Sequence, residues 1–500
     1  MKKLRKFFAV GFAVLIVYLS TFPVYAGETL PYITYNYDFR NNIVYTPAAY
    51  VPEKSISGVN MGEGVGVFNN PQGLFVDESG LVYVADTGNN RIVVLNSQMS
   101  QALEIIDTFE NNGAADTFSG PYGVCVSANN ELYIADTGNF RVVVLTNEPG
   151  KAHEFVRVIE NPQSDLLGEN FSFAPLRITV DYADRVYCVV RGMFQGLMVF
   201  EGNDFTGFFG TIEVTVSAWQ KFWRFFSTKE QRANQILFIP TEFTGVDMDD
   251  EGFVYASHLS PNANGQQAVR RLNPKGEDVI KKGVNNHVGG DLQLGEGFSD
   301  FSGPSNFIDI AVRDKGIYSL LDSKRGRVFT YDYEGNILYI FGGLGTQAGT
   351  FRVPSAIDTY GDKIYVLDAY RGEVQIFKET NYGNLINEAV SLRFDGDETL
   401  AVEKWRQVLK YDENFELANT GIGKSYLTAG ENELAMNFLQ LGMNRDYYSI
   451  AFKRFRNEIL ENNLSIVFTV GLALIIAFAA HSIIKRWRKP TDDEGGVWGD

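Results

Sequence analysis

Metal and acid–base chemistry draw on histidines, cysteines and carboxylates, and this chain spreads them thinly. It has four histidines, His153, His258, His287 and His481. His481 lies in an uncharged apolar run, and His153 follows a loop and reads as exposed. The remaining two, His258 and His287, are too few for an all-histidine metal site. No His-Glu-x-x-His, Gly-x-Ser-x-Gly or Cys-x-x-Cys pattern occurs. Cys125 and Cys188 both sit in apolar strand patterns. They read as buried free thiols, with a bridge between them as the alternative, and two cysteines do not make a disulfide scaffold. The 61 acidic residues fall mostly in turns, and Asp77, Asp86, Asp136, Asp249 and Asp368 stand at repeated positions. A residue that recurs in several copies of a repeat reads as structural, because catalysis would need it once. The sequence therefore assigns no catalytic residue, no metal ligand and no cofactor. The net charge of −17 argues against a polyanionic partner such as nucleic acid.

The elements that carry these residues repeat. VYVADTGNNRIVVL from Val82 and LYIADTGNFRVVVL from Leu132 align without a gap, 50 residues apart. Pro71-Gln-Gly73 stands 50 residues before Pro121-Tyr-Gly123. A Phe just before a Pro recurs as Phe68/Pro71, Phe118/Pro121, Phe173/Pro175, Phe238/Pro240, Phe301/Pro304 and Phe351/Pro354. Each pair precedes a strand with a central tyrosine: Tyr83, Tyr133, Tyr187, Tyr255, Tyr318 and Tyr365, spaced 50, 54, 68, 63 and 47 apart. Each copy reads as an antiparallel meander. One such sheet leaves two edges open, whereas six arranged radially bury their faces on one another. In the Asp-Thr-Gly-Asn turn, Gly88 and Gly138, with Asn89 or Asn90, are expected to supply positive φ. Asp86 and Asp136 are expected to accept backbone N–H groups, with Arg91 and Arg141 bracing that Asp or the adjoining blade. The 49 glycines and 25 tyrosines fit many short strands and tight turns.

The Pro-x-Gly start, the Tyr-x-Ala-Asp-Thr-Gly-Asn-x-Arg core and the closing aliphatic strand resemble the NHL-repeat family of β-propellers. The likeness is strong in the first two copies and weaker in the fifth (Asp322, Arg327) and sixth (Asp368). The third copy loses the Asp, reading Val189-Val190-Arg191, and the fourth has His258 in its place. The resemblance implies a six-bladed all-β propeller over residues 60–378, with residues 27–59 packing on it or supplying its closing strand.

Between the third and fourth copies, Trp219, Phe222, Trp223 and Phe226 fall on one face of a helix expected within 217–234. It reads either as a cover for the propeller or as an interaction helix for a membrane surface or partner. After Lys378 the hydrophobic period changes to about 3.6. Ala389, Leu392, Ala401 and Trp405 recur 34 residues later as Gly423, Tyr426, Ala435 and Leu439. This resembles tetratricopeptide repeats, about two units over 381–462. Leu464 to Ile484 has no charged residue across 21 positions, with Lys485, Arg486, Arg488 and Lys489 following. That predicts a transmembrane helix with 485–500 on the cytoplasmic side; a buried core helix is the rival. The basic start, the apolar run from Phe7 to Leu19 and Val24-Tyr25-Ala26 read as a signal peptide over 1–26, or else as an uncleaved anchor.

Taken together, the expectation is an extracytoplasmic scaffold, possessing a membrane partner, that binds a ligand or protein and serves a membrane complex such as a transporter. The alternatives are a propeller hydrolase or lyase acting on a lactone, and a glycan-binding module.

Overall fold

In the computed structural model, residues 30–62, 64–147, 153–168, 170–211, 242–259, 268–280, 288–291 and 303–488 are described. Trp219, Phe222, Trp223 and Phe226, and the leader over 1–26, lie outside them. The chain divides into two compact units. One comprises Ile43–Asn384 with the segment before Tyr37; the other comprises Tyr37–Asn42 with the chain from Leu385 onward.

The first unit is a six-bladed propeller. The first blade runs Gly73–Val76, Val82–Asp86, Arg91–Leu95 and Ala102–Ile106 from inside outward. The second runs Pro121–Val126, Glu131–Asp136, Arg141–Thr146 and Phe155–Ile159; the third runs Pro175–Val180, Arg185–Val190, Leu197–Glu201 and Asp204–Phe209. Three strands of the fourth are described: Phe243–Met248, Val254–His258 and Val269–Leu272. The fifth runs Phe307–Arg313, Ile317–Asp322, Arg327–Tyr331 and Ile337–Phe341, and its sheet continues outward through Tyr35–Tyr37 and Ile43–Tyr45. The sixth takes Pro354–Tyr360, Lys363–Asp368 and Glu373–Glu379 from one end of the unit and Tyr50–Ser57 from the other, with Ser57 opposite Glu373. That shared sheet closes the ring. The six innermost strands each touch the next, the sixth touching the first.

Strand alternation explains the packing. Val82 and Val84 cluster with Tyr365 and Leu367 of the sixth blade, whereas Tyr83 and Ala85 cluster with Leu132 and Ile134 of the second. Successive side chains of one strand point to opposite sheet faces, so each blade is apolar on both sides and fills both gaps beside it. All six repeat tyrosines are buried. The strand register corrects two of the expected repeat starts. Phe243 and Phe307 stand opposite His258 and Asp322, where Pro121 and Pro354 stand opposite Asp136 and Asp368. Pro304 lies before its strand, and Phe238/Pro240 lies outside the described residues.

The Asp-Thr-Gly-Asn turn takes its positive φ at Asn90, as expected, and not at Gly88 or Gly138. Thr87–Asn89 and Thr137–Asn139 each form a single 3-10 turn, followed by a left-handed residue, Asn90 (φ 55°) in the first copy and Phe140 (φ 57°) in the second. Gly88 serves close approach instead. Its N–H donates to Asn69 O at 2.8 Å, and a Cβ there would lie 2.6 Å from that oxygen.

The second unit is helical: α1 (Asn381–Phe394, begun in the first unit), α2 (Glu398–Tyr411), α3 (Glu416–Thr428), α4 (Asn432–Leu441) and α5 (Arg445–Trp487). Successive helices from α2 to α5 pack on each other. Trp405 is buried on α2, where Gly421 of α3 leaves room for its indole, and Gly423 faces Leu439 of α4 in the same manner. Three of these four residues, Trp405, Gly423 and Leu439, belong to the expected 34-residue period; Gly421 does not. Helix α5 is long and apolar enough to cross a membrane, and its apolar stretch is not buried. Phe468, Ile475 and Phe478 are exposed, so it is not a core helix among the described residues.

Candidate functional site: the propeller axis

The innermost strands present two rings of equivalent positions to the axis. The first holds Gly73, Gly123, Arg177, Gly245, Asp309 and Ala356; the second holds Phe75, Cys125, Thr179, Asp247, Ala311 and Asp358. Glycine is required where neighbouring strands converge. A Cβ on Gly73 would lie 2.2 Å from Tyr122 O, and one on Gly245 would lie 2.8 Å from the Asp309 Cα. The room the small residues leave is taken by two long or charged side chains.

Arg177, from the third blade, is the hub. Its Nε meets Asp309 Oδ1 of the fifth blade at 3.2 Å. Its Nη1 donates to Gln72 O beside the first blade (2.8 Å) and its Nη2 to Ser355 O of the sixth (2.7 Å). The guanidinium also lies over the Tyr122 ring of the second blade, 5.3 Å from its centroid. Its donors are thereby largely matched inside the ring, as a buried cation requires.

Three carboxylates tie successive blades. Asp247 Oδ2 accepts from Val312 N (2.6 Å), Asp309 Oδ2 from Ile357 N (3.1 Å) and Asp358 Oδ2 from Val76 N (2.6 Å). These bonds staple the fourth blade to the fifth, the fifth to the sixth and the sixth to the first. Burial raises all three above the usual carboxylate range. Asp247 is pushed up to about 7. Asp358 is raised further by the charge of Asp247, while Arg177 opposes the rise at Asp309. Of the three, Asp309 alone meets the guanidinium, and burial favours the protonated form of Asp247 and Asp358.

The void these residues line is about 40 Å³. That admits roughly one to three waters. Among the described residues, no group of three or more His, Cys, Asp or Glu side chains is arranged to hold a metal ion. Cys125 and Cys188 are free and buried, and burial pushes both thiols up. The axis is a charged plug that links blades, with a water-sized gap.

The residues singled out by the repeat lie away from this plug. Asp86 Oδ1 accepts from Asn69 N (2.7 Å), and its Oδ2 accepts from Asn89 Nδ2 and Arg91 Nε, each at 2.8 Å. Asp136 does the same with Ser119 N, Asn139 and Arg141, and Arg141 also pairs with Asp116 at 2.8 Å. Asp368 accepts from the backbone N–H of Arg352 (2.6 Å) and Arg371 (3.0 Å), and Asp322 from Asn306 N (2.8 Å). Each carboxylate fastens the turn after its blade's second strand to the loop entering the first. Arg327 departs from the pattern, pairing with Asp291 at 2.5 Å and donating to Tyr35 Oη at 2.6 Å. Asp77 and Asp249 form a separate set. Each closes the turn between first and second strands, onto Leu81 N and Phe253 N (both 2.8 Å). His153 is not exposed. Its side chain is 8% accessible and bonds Thr146 O (2.6 Å) and Glu104 (3.0 Å). His258 stacks on Phe243, with centroids 4.4 Å apart.

Arg177, Asp247, Asp309 and Asp358 escaped the sequence reading, although a signal was present. They are the polar exceptions at positions where the first two copies have Gly73 and Gly123, or Phe75 and Cys125.

The NHL repeat model matches residues 68–95 and 118–145, the core of the first and second blades. A search of the curated proteins found no match. Among solved structures, virginiamycin B lyase from Staphylococcus aureus is similar at 12% identity, covering 65% of this chain and 99% of that one, with a TM-score of 0.39. A putative gluconolactonase is similar at 14% identity, with 67% and 94% covered and a TM-score of 0.37. Aldose sugar dehydrogenase from Streptomyces coelicolor in its PQQ-bound form is similar at 12% identity, with 67% and 99% covered and a TM-score of 0.39. The chain is a six-bladed β-propeller that carries NHL repeats in its first two blades and continues into five helices, the last of them long and apolar enough to span a bilayer.

Proposed function

We propose that this chain is a membrane-tethered binding scaffold without catalytic activity, held outside the cytoplasm by α5, with its propeller offering a rigid face to a ligand or protein partner. The filled axis carries this reading. Arg177 and Asp309 close the ring's centre, and the remaining void of about 40 Å³ has no room for a sugar lactone. The axis therefore serves rigidity, and recognition falls to the faces and to the helical unit, which we read as tetratricopeptide-like. The basic cluster after Ile484 favours a cytoplasmic tail.

The test is crosslinking of the full chain in its native membrane, followed by detergent extraction. The expected outcome is one membrane protein recovered in stoichiometric amount, with no lactone turnover by the purified chain in Ca²⁺ or Zn²⁺. Recovery of the chain alone, or turnover above the background rate, overturns the proposal.

A further inference from the structure

A second recess lies off the axis, on the propeller face where the first strands of the first three blades begin. It measures about 430 Å³ and is lined by Asn70, Gln72, Ser119, Tyr122, Thr137 and Arg191 among others. That volume falls within the range of small-molecule sites. The chain carries a net charge of −17, yet no carboxylate lines this recess. The nearby acids, Asp86 and Asp136, are turned inward onto their own turns.

Some of its polar groups are already used. Thr87 and Thr137 hydroxyls donate to Pro121 O (2.7 Å) and Pro175 O (2.6 Å), and Gln72 Nε2 donates to Asn70 Oδ1 (2.7 Å). Others are not. Among the described residues, the Arg191 guanidinium, the Ser119 hydroxyl and the Tyr122 hydroxyl make no hydrogen bond or ion pair. Arg191 is exposed, and it occupies the position filled by Thr87 and Thr137 in the two preceding blades. The third blade thus replaces a self-satisfied turn residue with a free cation. The Tyr122 ring is held in place from the axial side by the Arg177 guanidinium, 5.3 Å from its centroid.

We infer that this recess binds a small hydroxylated carboxylic acid of the sugar-acid type, its carboxylate on Arg191 and its hydroxyls on Ser119, Tyr122 and the Asn70/Gln72 amides. A planar guanidinium matches a carboxylate through two parallel hydrogen bonds, and neutral hydroxyls and amides match an alcohol-rich body. This deepens the ligand half of the proposed function, and the two fail separately, because the measurement below involves no protein partner.

The experiment is calorimetric titration of the purified full chain in detergent with D-glucuronate, D-glucose and inorganic phosphate. The expected result is glucuronate binding at least about tenfold tighter than glucose or phosphate. Arg191→Gln should weaken glucuronate at least about tenfold and leave glucose unchanged, with Arg191→Lys intermediate. Thermal melting of each variant, unchanged from wild type, separates loss of the site from loss of fold. Equal affinity for glucuronate and glucose, no glucuronate binding up to millimolar concentration, tighter phosphate binding, or an unaffected Arg191→Gln variant would each overturn the inference.

Discussion

At the scale of single residues, the axis makes the sharpest predictions. The folded chain holds the Asp247 proton up to about pH 7, whereas an unfolded Asp releases it near pH 4. Stability from this group is therefore full below about pH 4, falls as pH rises towards 7 and is flat above. Asp247→Asn keeps an oxygen for the Val312 N–H and removes the charge. The loss of stability between pH 5 and pH 7.5 should then shrink by on the order of 1–3 kcal/mol, read from urea unfolding at both pH values. An unchanged profile would mean that Asp247 stays charged throughout. Arg177→Met strands Asp309 without its cation and should destabilise by about 3–5 kcal/mol, while adding Asp309→Leu should recover much of this. Phe140 holds a left-handed backbone that Asn90 adopts at the matching position. Phe140→Asn should raise stability by about 0.5–1 kcal/mol in thermal melts. The axial residues were legible only as misfits in the repeat, because a one-dimensional alignment cannot say which strand faces the axis. Arg191 was visible as a departure from the Asp-Thr-Gly pattern, but its exposure and the absence of carboxylates from the recess lining belong to three dimensions.

At the scale of elements, the repeat was readable because strand alternation and turn chemistry are local. The tyrosine spacing located all six second strands. The glycine role was misassigned, since positive φ and close approach both favour glycine and only coordinates separate them. The Pro-based starts drifted in the fourth and fifth blades, where Phe243 and Phe307 take the position that Pro holds elsewhere. The shared sixth blade makes a further prediction. Removing the chain through Ser57 leaves Glu373–Glu379 as a bare edge and also strips Tyr35–Tyr37 from Ile337–Phe341. That truncation should lower the melting temperature by roughly 10 °C or more and yield aggregates on size-exclusion chromatography in detergent. Retention of a monomeric, equally stable propeller would show that three strands suffice for that blade.

At the scale of the whole molecule, two units with separate cores share one chain, one of strands and one of helices. Composition and period announced both, because the hydrophobic repeat changes from two to 3.6 near Lys378. The apolar part of α5 was equally plain, since 21 uncharged positions in a row need no context. Replacing Ile475 and Phe478 together by Arg should release the chain from membranes into the alkaline-carbonate supernatant, as each charge adds about 2.5–3.5 kcal/mol at a bilayer centre. Wild-type chain should remain in the pellet. The strand Tyr50–Ser57 finds its partner more than 300 residues later in the sequence. A ribosome adding about 5–20 residues per second takes tens of seconds to cover that distance. Throughout that interval this early strand waits without its match, so the circle is sealed late, by one end of the propeller sequence meeting the other.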